Sequence, residues 1–348
     1  MAAPIVSVVM ATYNGAQWVV PTIESLLAQS LPDFELIVVD DCSTDDTRAV
    51  LAAIDDPRIR IIHAEQNRGP VHSRNRGFAE ARGRYIAALD QDDVCHPERL
   101  ARQVTFLDAH DDAVLVASAA DLLMGSRILP STLPATTTPG FIDWLMQMSN
   151  PLVWSSVMFR VGEARRLDPL TRPDRLYAED FDLYHRLRRF GRIARIDEAL
   201  LLYRVHGEGA SQRFTERLAL SAGDVLAEAN ADALGNGAAQ GAALLVHHVM
   251  MGEPVPDLAT LDLLTATIEL VHAHFLKTRT VDEASLALIE DHLTQIWWKL
   301  ARTGMRSGRI GLRGALNRRP EAVAAEPPNR SDLMLSGLIG RVRALRRK

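Results

Sequence analysis

Three carboxylates fall within four residues at Asp90-Gln91-Asp92-Asp93. They follow Tyr85-Ile86-Ala87-Ala88-Leu89, a short aromatic and aliphatic run of the kind a buried strand takes. Carboxylates packed at one strand end repel one another, so the chemistry they suggest is a cation held between them. A divalent metal carrying a phosphate group fits that donor set. The same residues would also serve as a solvated loop into the helix that Pro97 announces. Two more polar sets close apolar runs: Thr12-Tyr13-Asn14 follows Ile5 to Met10, and Asp40-Asp41 follows Phe34 to Val39. A fourth set, Glu179-Asp180, opens a segment with Phe181, Tyr184 and Leu187 at helical spacing. A carboxylate there can take a proton from a hydroxyl, or can simply favour the positive end of a helix.

The elements that must position these groups alternate. Apolar β-branched runs at 5–10, 34–39, 58–63, 85–89 and 113–117 are separated by segments with helical periodicity. That rhythm predicts a mostly parallel α/β sheet with right-handed crossovers, in which ligands sit at the carboxyl ends of the strands. The polar sets fall at those ends. A short helix is expected over 141–148, strands over 153–159 and 193–203, and a helix opening at 178. Beyond Gln212 the chain becomes rich in Ala and Leu with helical periodicity, over 215–228, 238–251, 258–274 and 282–301. The expected division is therefore 1–213, a helical region 214–303, and a basic linker and tail 304–348.

Composition narrows the class. With 348 residues, 47% hydrophobic and 24% charged, the chain reads as an ordinary globular protein. A net charge of -5 argues against nucleic acid as a partner. The two cysteines, Cys42 and Cys95, make no disulfide framework and point to a reducing compartment. The opening Met1-Ala2-Ala3-Pro4 lacks the charged region of a signal peptide, and no apolar run reaches the roughly 18 residues of a membrane span. The expectation is a cytoplasmic protein, soluble or peripheral on a membrane.

Taken together, Val6 to Asn14, Val38 to Asp45, Asn67-Arg68-Gly69 with Arg74-Asn75, Leu89 to Asp93, Glu179-Asp180 and Tyr203-Arg204-Val205-His206 stand in an order and spacing that resembles family 2 glycosyltransferases. The resemblance covers about 4–212. It implies the GT-A fold and inverting transfer of a sugar from a nucleotide-diphospho-sugar, a UDP-sugar by first preference, to a glycan or lipid-linked glycan in cell-surface polysaccharide synthesis. It also implies roles. Ala11, Thr12 and Tyr13 would line the base and ribose, Asp41 would accept from a uracil-type imide N–H, and Arg74 would approach the base or diphosphate. Asp90 and Asp92 would form the D-x-D that holds Mg²⁺ or Mn²⁺, with Asp92 the surer ligand, Asp90 reaching the ribose or sugar, and His206 touching metal or diphosphate. Asp180 would be the general base, and Glu179 would contact the acceptor or orient its loop. Asp93 would be a loop residue, and Tyr184, His185 and Arg186 packing and surface residues.

Where many relatives carry a histidine, this chain has Trp154, which could stack on an acceptor sugar or pack in the core. Two rival classes remain. A sugar nucleotidyltransferase would carry a long Gly-rich loop after the first strand, which Thr12-Tyr13-Asn14-Gly15 is not. A non-catalytic nucleotide-sugar binding protein would be expected to have lost the D-x-D or the base. The last segment, Ser331 to Lys348, places Leu335, Leu338, Ile339, Val342 and Leu345 on one side and Arg341, Arg343, Arg346, Arg347 and Lys348 on the other. That pattern suits peripheral contact with an anionic membrane, a solvated terminal helix or a subunit contact.

Overall fold

The computed structural model describes residues 3–207, 213–320, 323–324 and 330–345. The expectations for Met1 and Ala2, for 321–322 and 325–328 of the linker, and for Arg346, Arg347 and Lys348 lie outside the described residues. The described chain forms two compact units, one of Met1–Pro139 with Pro151–Ser221 and one of Gly140–Asn150 with Ala222–Lys348.

The first unit is built on β1 (Val6–Thr12), whose apolar run is buried on both faces. Helix α1 (Val19–Leu27) leads to β2 (Phe34–Asp40), α2 (Thr47–Ala52) to β3 (Ile59–His63), and α3 (Pro70–Glu80) to β4 (Tyr85–Ala88). These four strands run parallel in the order β3-β2-β1-β4. Next come β5 (Val94–Cys95), α4 (Arg99–Ala109), β6 (Ala113–Met124) and β7 (Arg127–Leu129); α5 (Pro139–Leu145) belongs to the second unit from Gly140 on, and the first unit resumes with β8 (Met158–Arg160), α6 (Val161–Ala164), α7 (Glu179–Leu187) and β9 (Arg192–Arg204). The sheet continues from β4 through antiparallel β8 to β6. There β9 pairs parallel with β6, and two-residue β5 caps the edge antiparallel to β9.

Two side-chain requirements hold this layout. Glu35 on β2 is 3% exposed and accepts from Ser7 Oγ at 2.7 Å and from Arg82 Nη2 at 2.6 Å. Burial disfavours its charge, but the bonds from Arg82 and Ser7 outweigh that and hold the carboxyl below its ordinary range. Gly77 lets α3 press onto β1, because a Cβ there would lie 2.5 Å from Val9 Cγ1.

Two strand expectations change. The strand expected at 113–117 runs on to Met124. The strand expected over 153–159 begins instead as a 3₁₀ turn at Trp154–Ser156. Ser156 Oγ bonds Val153 O at 2.7 Å, and Gln103 Nε2 takes the Ser156 carbonyl at 2.7 Å, so side chains satisfy the backbone that a ladder would have used.

The second unit is helical. Its long helices, Leu258–Thr278 and Glu283–Arg306, are each capped by an aspartate: Asp257 accepts from the Thr260 amide at 2.7 Å and Asp282 from the Ser285 amide at 2.8 Å. The segment expected as one helix over 238–251 is α-helical over Ala238–Leu244 and widens to a π-turn at Leu245–Met250. Trp144 is fully buried, edge-on to His272 and Phe275, and donates from Nε1 to His292 Nδ1 at 3.0 Å. Burial, helped by the Lys299 charge, pushes His292 down to about 4, which keeps the imidazole neutral and able to accept. Among the described residues no helix is long and apolar enough to cross a membrane.

Candidate active site

The carboxyl ends of β1, β2, β4 and β9 converge on one side of the first unit. At β1, Ala11 is partly buried, Thr12 is buried and Tyr13 is 44% exposed, so the tyrosine ring is free to meet a planar ligand. Gln91 ties this strand end to the acidic loop. Its Oε1 accepts from Thr12 Oγ1 at 2.5 Å and from the Tyr13 amide at 3.0 Å. At β2 the Asp41 amide donates to Thr12 O at 2.8 Å. Both Asp41 oxygens accept backbone amides, from Arg68 at 3.0 Å and Gly69 at 2.7 Å, leaving one lone pair on each. Gly69 makes that approach with φ at 87°, a left-handed conformation that suits glycine, and Pro70 then starts α3.

Arg74, one turn into α3, is the centre of the site. One guanidinium nitrogen donates to Asp90 Oδ1 at 2.6 Å and the other to Glu179 Oε1. The guanidinium lies 4.9 Å from the Trp154 ring centre, so the cation is held between two carboxylates and an aromatic face. Burial alone would loosen its proton, but the Asp90 and Glu179 charges outweigh that and bind it more tightly. Glu179 is 3% exposed, and burial raises its pKa against the pull of Arg74. Trp154 is itself only 7% exposed, with Phe78 against its edge. Here its stacking partner is Arg74. Because Glu179 opens α7, the same contact carries the neighbouring Asp180, which is partly exposed, up to the acidic loop. Asp180 accepts from the Phe181 amide at 2.7 Å. Tyr184, one turn on, is fully buried, and its hydroxyl is pushed well up by burial and by the Asp180 charge.

The other half of the acidic loop meets the end of β9. The two-residue pairing of β5 with β9, Val94 with Leu202 and Cys95 with Leu201, brings Asp92 to His206, where His206 Nε2 and Asp92 Oδ2 are 2.7 Å apart. Trp18 packs on His206 at 4.9 Å between ring centres, and Arg204 lies over Trp18 and donates to the Asp92 carbonyl at 2.7 Å. Burial, then the Asp90 charge, raises the Asp92 pKa despite His206. Asp93 is 1% exposed and is pushed further up by burial and by both neighbouring aspartates. It accepts the Arg204 amide at 2.8 Å, which gives it a structural role behind the site.

The loop thus gathers more negative charge than the chain neutralises, and a divalent cation would relieve it. Among the described residues no group of three or more His, Cys, Asp or Glu side chains is arranged to hold an ion. The donor set present, an Asp92 carboxylate against a His206 imidazole with Asp90 in the same loop, suits Mg²⁺ or Mn²⁺ whose remaining positions are filled by substrate phosphate oxygens.

Sequence reasoning did not assign Gln91, Ser155, Trp18 or Arg204. Ser155 Oγ accepts the Asp90 amide at 2.9 Å, and Gln91 reaches residues 78 or 79 positions away. Only their places inside the acidic loop and the Tyr203–His206 motif marked Gln91 and Arg204, and nothing local marked the others.

Comparison with known proteins bears on the family and the fold. The model for "Glycosyl transferase family 2" matches residues 7–148. The succinoglycan biosynthesis protein ExoO of Rhizobium meliloti is 44% identical over 147 residues, which are 40% of this chain and 42% of that protein. The chain therefore matches less than half of ExoO. An uncharacterized glycosyltransferase of Haemophilus influenzae is 30% identical over 218 residues, covering 60% of this chain and 68% of that protein. Among solved structures, the mannosyltransferase PcManGT of Pyrobaculum calidifontis, in complex with GDP-Man and Mn²⁺, superposes with a TM-score of 0.54 at 19% identity, covering 84% of this chain and 80% of its own; this likeness speaks for the GT-A fold. On the fold, the family match and the relative covered over two thirds of its length, the chain belongs to glycosyl transferase family 2.

Proposed function

We propose that this enzyme transfers a sugar, with inversion, from a nucleotide-diphospho-sugar to a hydroxyl of a glycan or lipid-linked glycan in cell-surface polysaccharide synthesis. The observation that carries the reading is Arg74, which joins Asp90 of the acidic loop to Glu179 beside Asp180 and so sets a donor-side and an acceptor-side carboxylate at one centre. ExoO, named for succinoglycan biosynthesis, supports the polysaccharide assignment. Residues 1–213 are taken as the catalytic domain, 214–303 as a helical region and 304–348 as a basic linker and tail. The enzyme is placed in the cytoplasm, on acceptors at the inner face of the membrane.

In this reading Tyr13 stacks on the base and Ala11 and Thr12 shape its pocket. The free lone pairs of Asp41 accept the imide N–H of uracil, the preferred base. Asp92 and His206 would hold Mg²⁺ or Mn²⁺, with Asp90 beside them reaching the donor ribose or sugar; when bound, the ion supplies positive charge for the leaving nucleoside diphosphate. Arg74 and Trp154 keep Asp90 and Glu179 in place. Asp180 takes the acceptor hydroxyl proton as its oxygen bonds the anomeric carbon, while the bond from that carbon to the diphosphate breaks and its electron pair leaves with the nucleotide.

Replacing Asp180 with Asn keeps shape and removes the base. Transfer is expected to fall by at least ~10²-fold while donor affinity, measured by calorimetry, stays unchanged. Unchanged turnover would remove Asp180 from the role. A thermal-shift series with UDP-, GDP- and dTDP-sugars, with and without Mn²⁺, identifies the donor.

A further inference from the structure

The helix Arg330–Leu345 in the second unit reverses the usual arrangement, in which large apolar side chains turn inward. It faces Glu283–Arg306 with its small residues. Ser336 is fully buried, and Gly340 lies so close to the Met305 carbonyl that a Cβ would overlap it. Polar ties pin this face, with Arg302 donating to Asp332 and Arg343 to the Arg306 carbonyl at 3.1 Å. The opposite face carries Met334 at 71% exposure, Leu335 at 51%, Leu338 at 60% and Val342 at 52%, at positions i, i+1, i+4 and i+8 of one stripe. A helix anchored by glycine and serine, with Met334, Leu335, Leu338 and Val342 outward, has that stripe available for another phase.

Charge identifies the phase. Residues 304–348 hold 11 Lys and Arg against 3 Asp and Glu, or +8, so the rest of the chain carries -13 of the overall -5. Arg306, Arg309, Arg313, Arg341 and Arg343 are exposed. An apolar stripe with the exposed Arg341 beside it, three residues after Leu338, in a segment of net charge +8, matches the interface of an anionic bilayer, where acyl chains take the stripe and headgroups take the guanidinium groups. A second copy of the chain is a poorer occupant. Four side chains offer a few hundred Å², short of the roughly 800 Å² per partner that a stable dimer buries.

We propose that the Met334–Leu335–Leu338–Val342 face is a docking surface for anionic lipid, by which the protein sits reversibly on a membrane. This deepens the placement at the membrane face and does not depend on the transfer chemistry, since vesicle binding is read without turnover.

The test is flotation of the full chain with vesicles of phosphatidylcholine alone and with about a third phosphatidylglycerol. The variants are the pair Leu335→Ser/Leu338→Ser and, separately, Arg313→Gln/Arg341→Gln. All four positions are exposed, and circular dichroism and melting check that both variants fold. Anionic vesicles are expected to bind the parent at low salt. The Leu pair should weaken partitioning about tenfold or more. The Arg pair should weaken it severalfold and flatten its salt dependence. The proposal is overturned if the parent binds neither vesicle, if it binds both equally, or if the Leu pair binds as the parent does. It is also overturned if the stripe drives concentration-dependent dimerisation, lost in the Leu pair, without vesicle binding.

Discussion

Arg74→Met removes a buried cation and leaves its two carboxylates behind. Asp90 is 30% exposed at its side chain and can turn to water, whereas Glu179 is 4% exposed and cannot. Without Arg74 the simplest escape for Glu179 is to take up a proton. From its ordinary value of 4.5, protonation at pH 7.5 costs three pH units, or ~4 kcal/mol at 1.36 kcal/mol per unit, and at pH 5 less than ~1 kcal/mol. Because the folded-state pKa is raised above 4.5, the folded protein holds more protons than the unfolded one across this window, so stability falls as pH rises through it. The cost of the variant is therefore expected to reach up to ~4 kcal/mol at pH 7.5 and to shrink below ~1 kcal/mol at pH 5. The ~4 kcal/mol falls within the 3–5 kcal/mol range for breaking a buried pair, about 1–2 M in urea midpoint. Tryptophan-fluorescence denaturation at both pH values, with Glu179→Gln/Arg74→Met as partner, makes the measurement. The double variant should recover most of the loss at pH 7.5. An equal destabilisation at both pH values, or no recovery in the double variant, would refute the argument that Glu179 is the stranded charge.

Asp92→Ala is expected to abolish the gain in nucleotide affinity that Mn²⁺ brings, while leaving metal-free affinity within about threefold; calorimetry with and without the ion decides, and equal affinity in both conditions for the parent would remove the site. His292→Gln keeps an acceptor for the Trp144 N–H but cannot be protonated. With the His292 value lowered from 6.5 to about 4, the unfolded state binds more protons, so the parent should lose ~3 kcal/mol as pH falls from 6.5 to 4. The variant should lose that much less, read as the difference between their pH–stability curves, and parallel curves would show that His292 is not the titrating group.

The alternation of apolar runs with helical segments was legible in the chain from Ile5 to Ala117, and with it a mostly parallel sheet with polar groups at its strand ends. Those are local signals, because side-chain periodicity is set by each element's own geometry. Asp90, Asp92 and Asp180 stood out for a similar reason, as carboxylates at a strand end or in a helix's first turn, whereas the roles expected of them came from the resemblance to a family. Ser155 and Trp18 did not stand out. Their partners lie far along the chain, and a lone serine or tryptophan carries no mark of the backbone amide or imidazole it will meet.

The sequence by itself determined which residue types stand at the strand ends, the helical character of the region beyond residue 213 and the amphipathic pattern of the tail. Only the tertiary structure decided that Arg74 holds Asp90 to Glu179, that Asp92 meets His206 through the short β5–β9 pairing, and that the tail helix turns its apolar stripe outward. The physical reason is one of range. Periodicity and capping act over a few residues, whereas a buried ion pair forms only after distant elements pack. Which face of a helix is buried is likewise settled by the neighbour it meets; here Gly340 fits against Met305 and Ser336 is buried, while Leu335 and Leu338 are left outside.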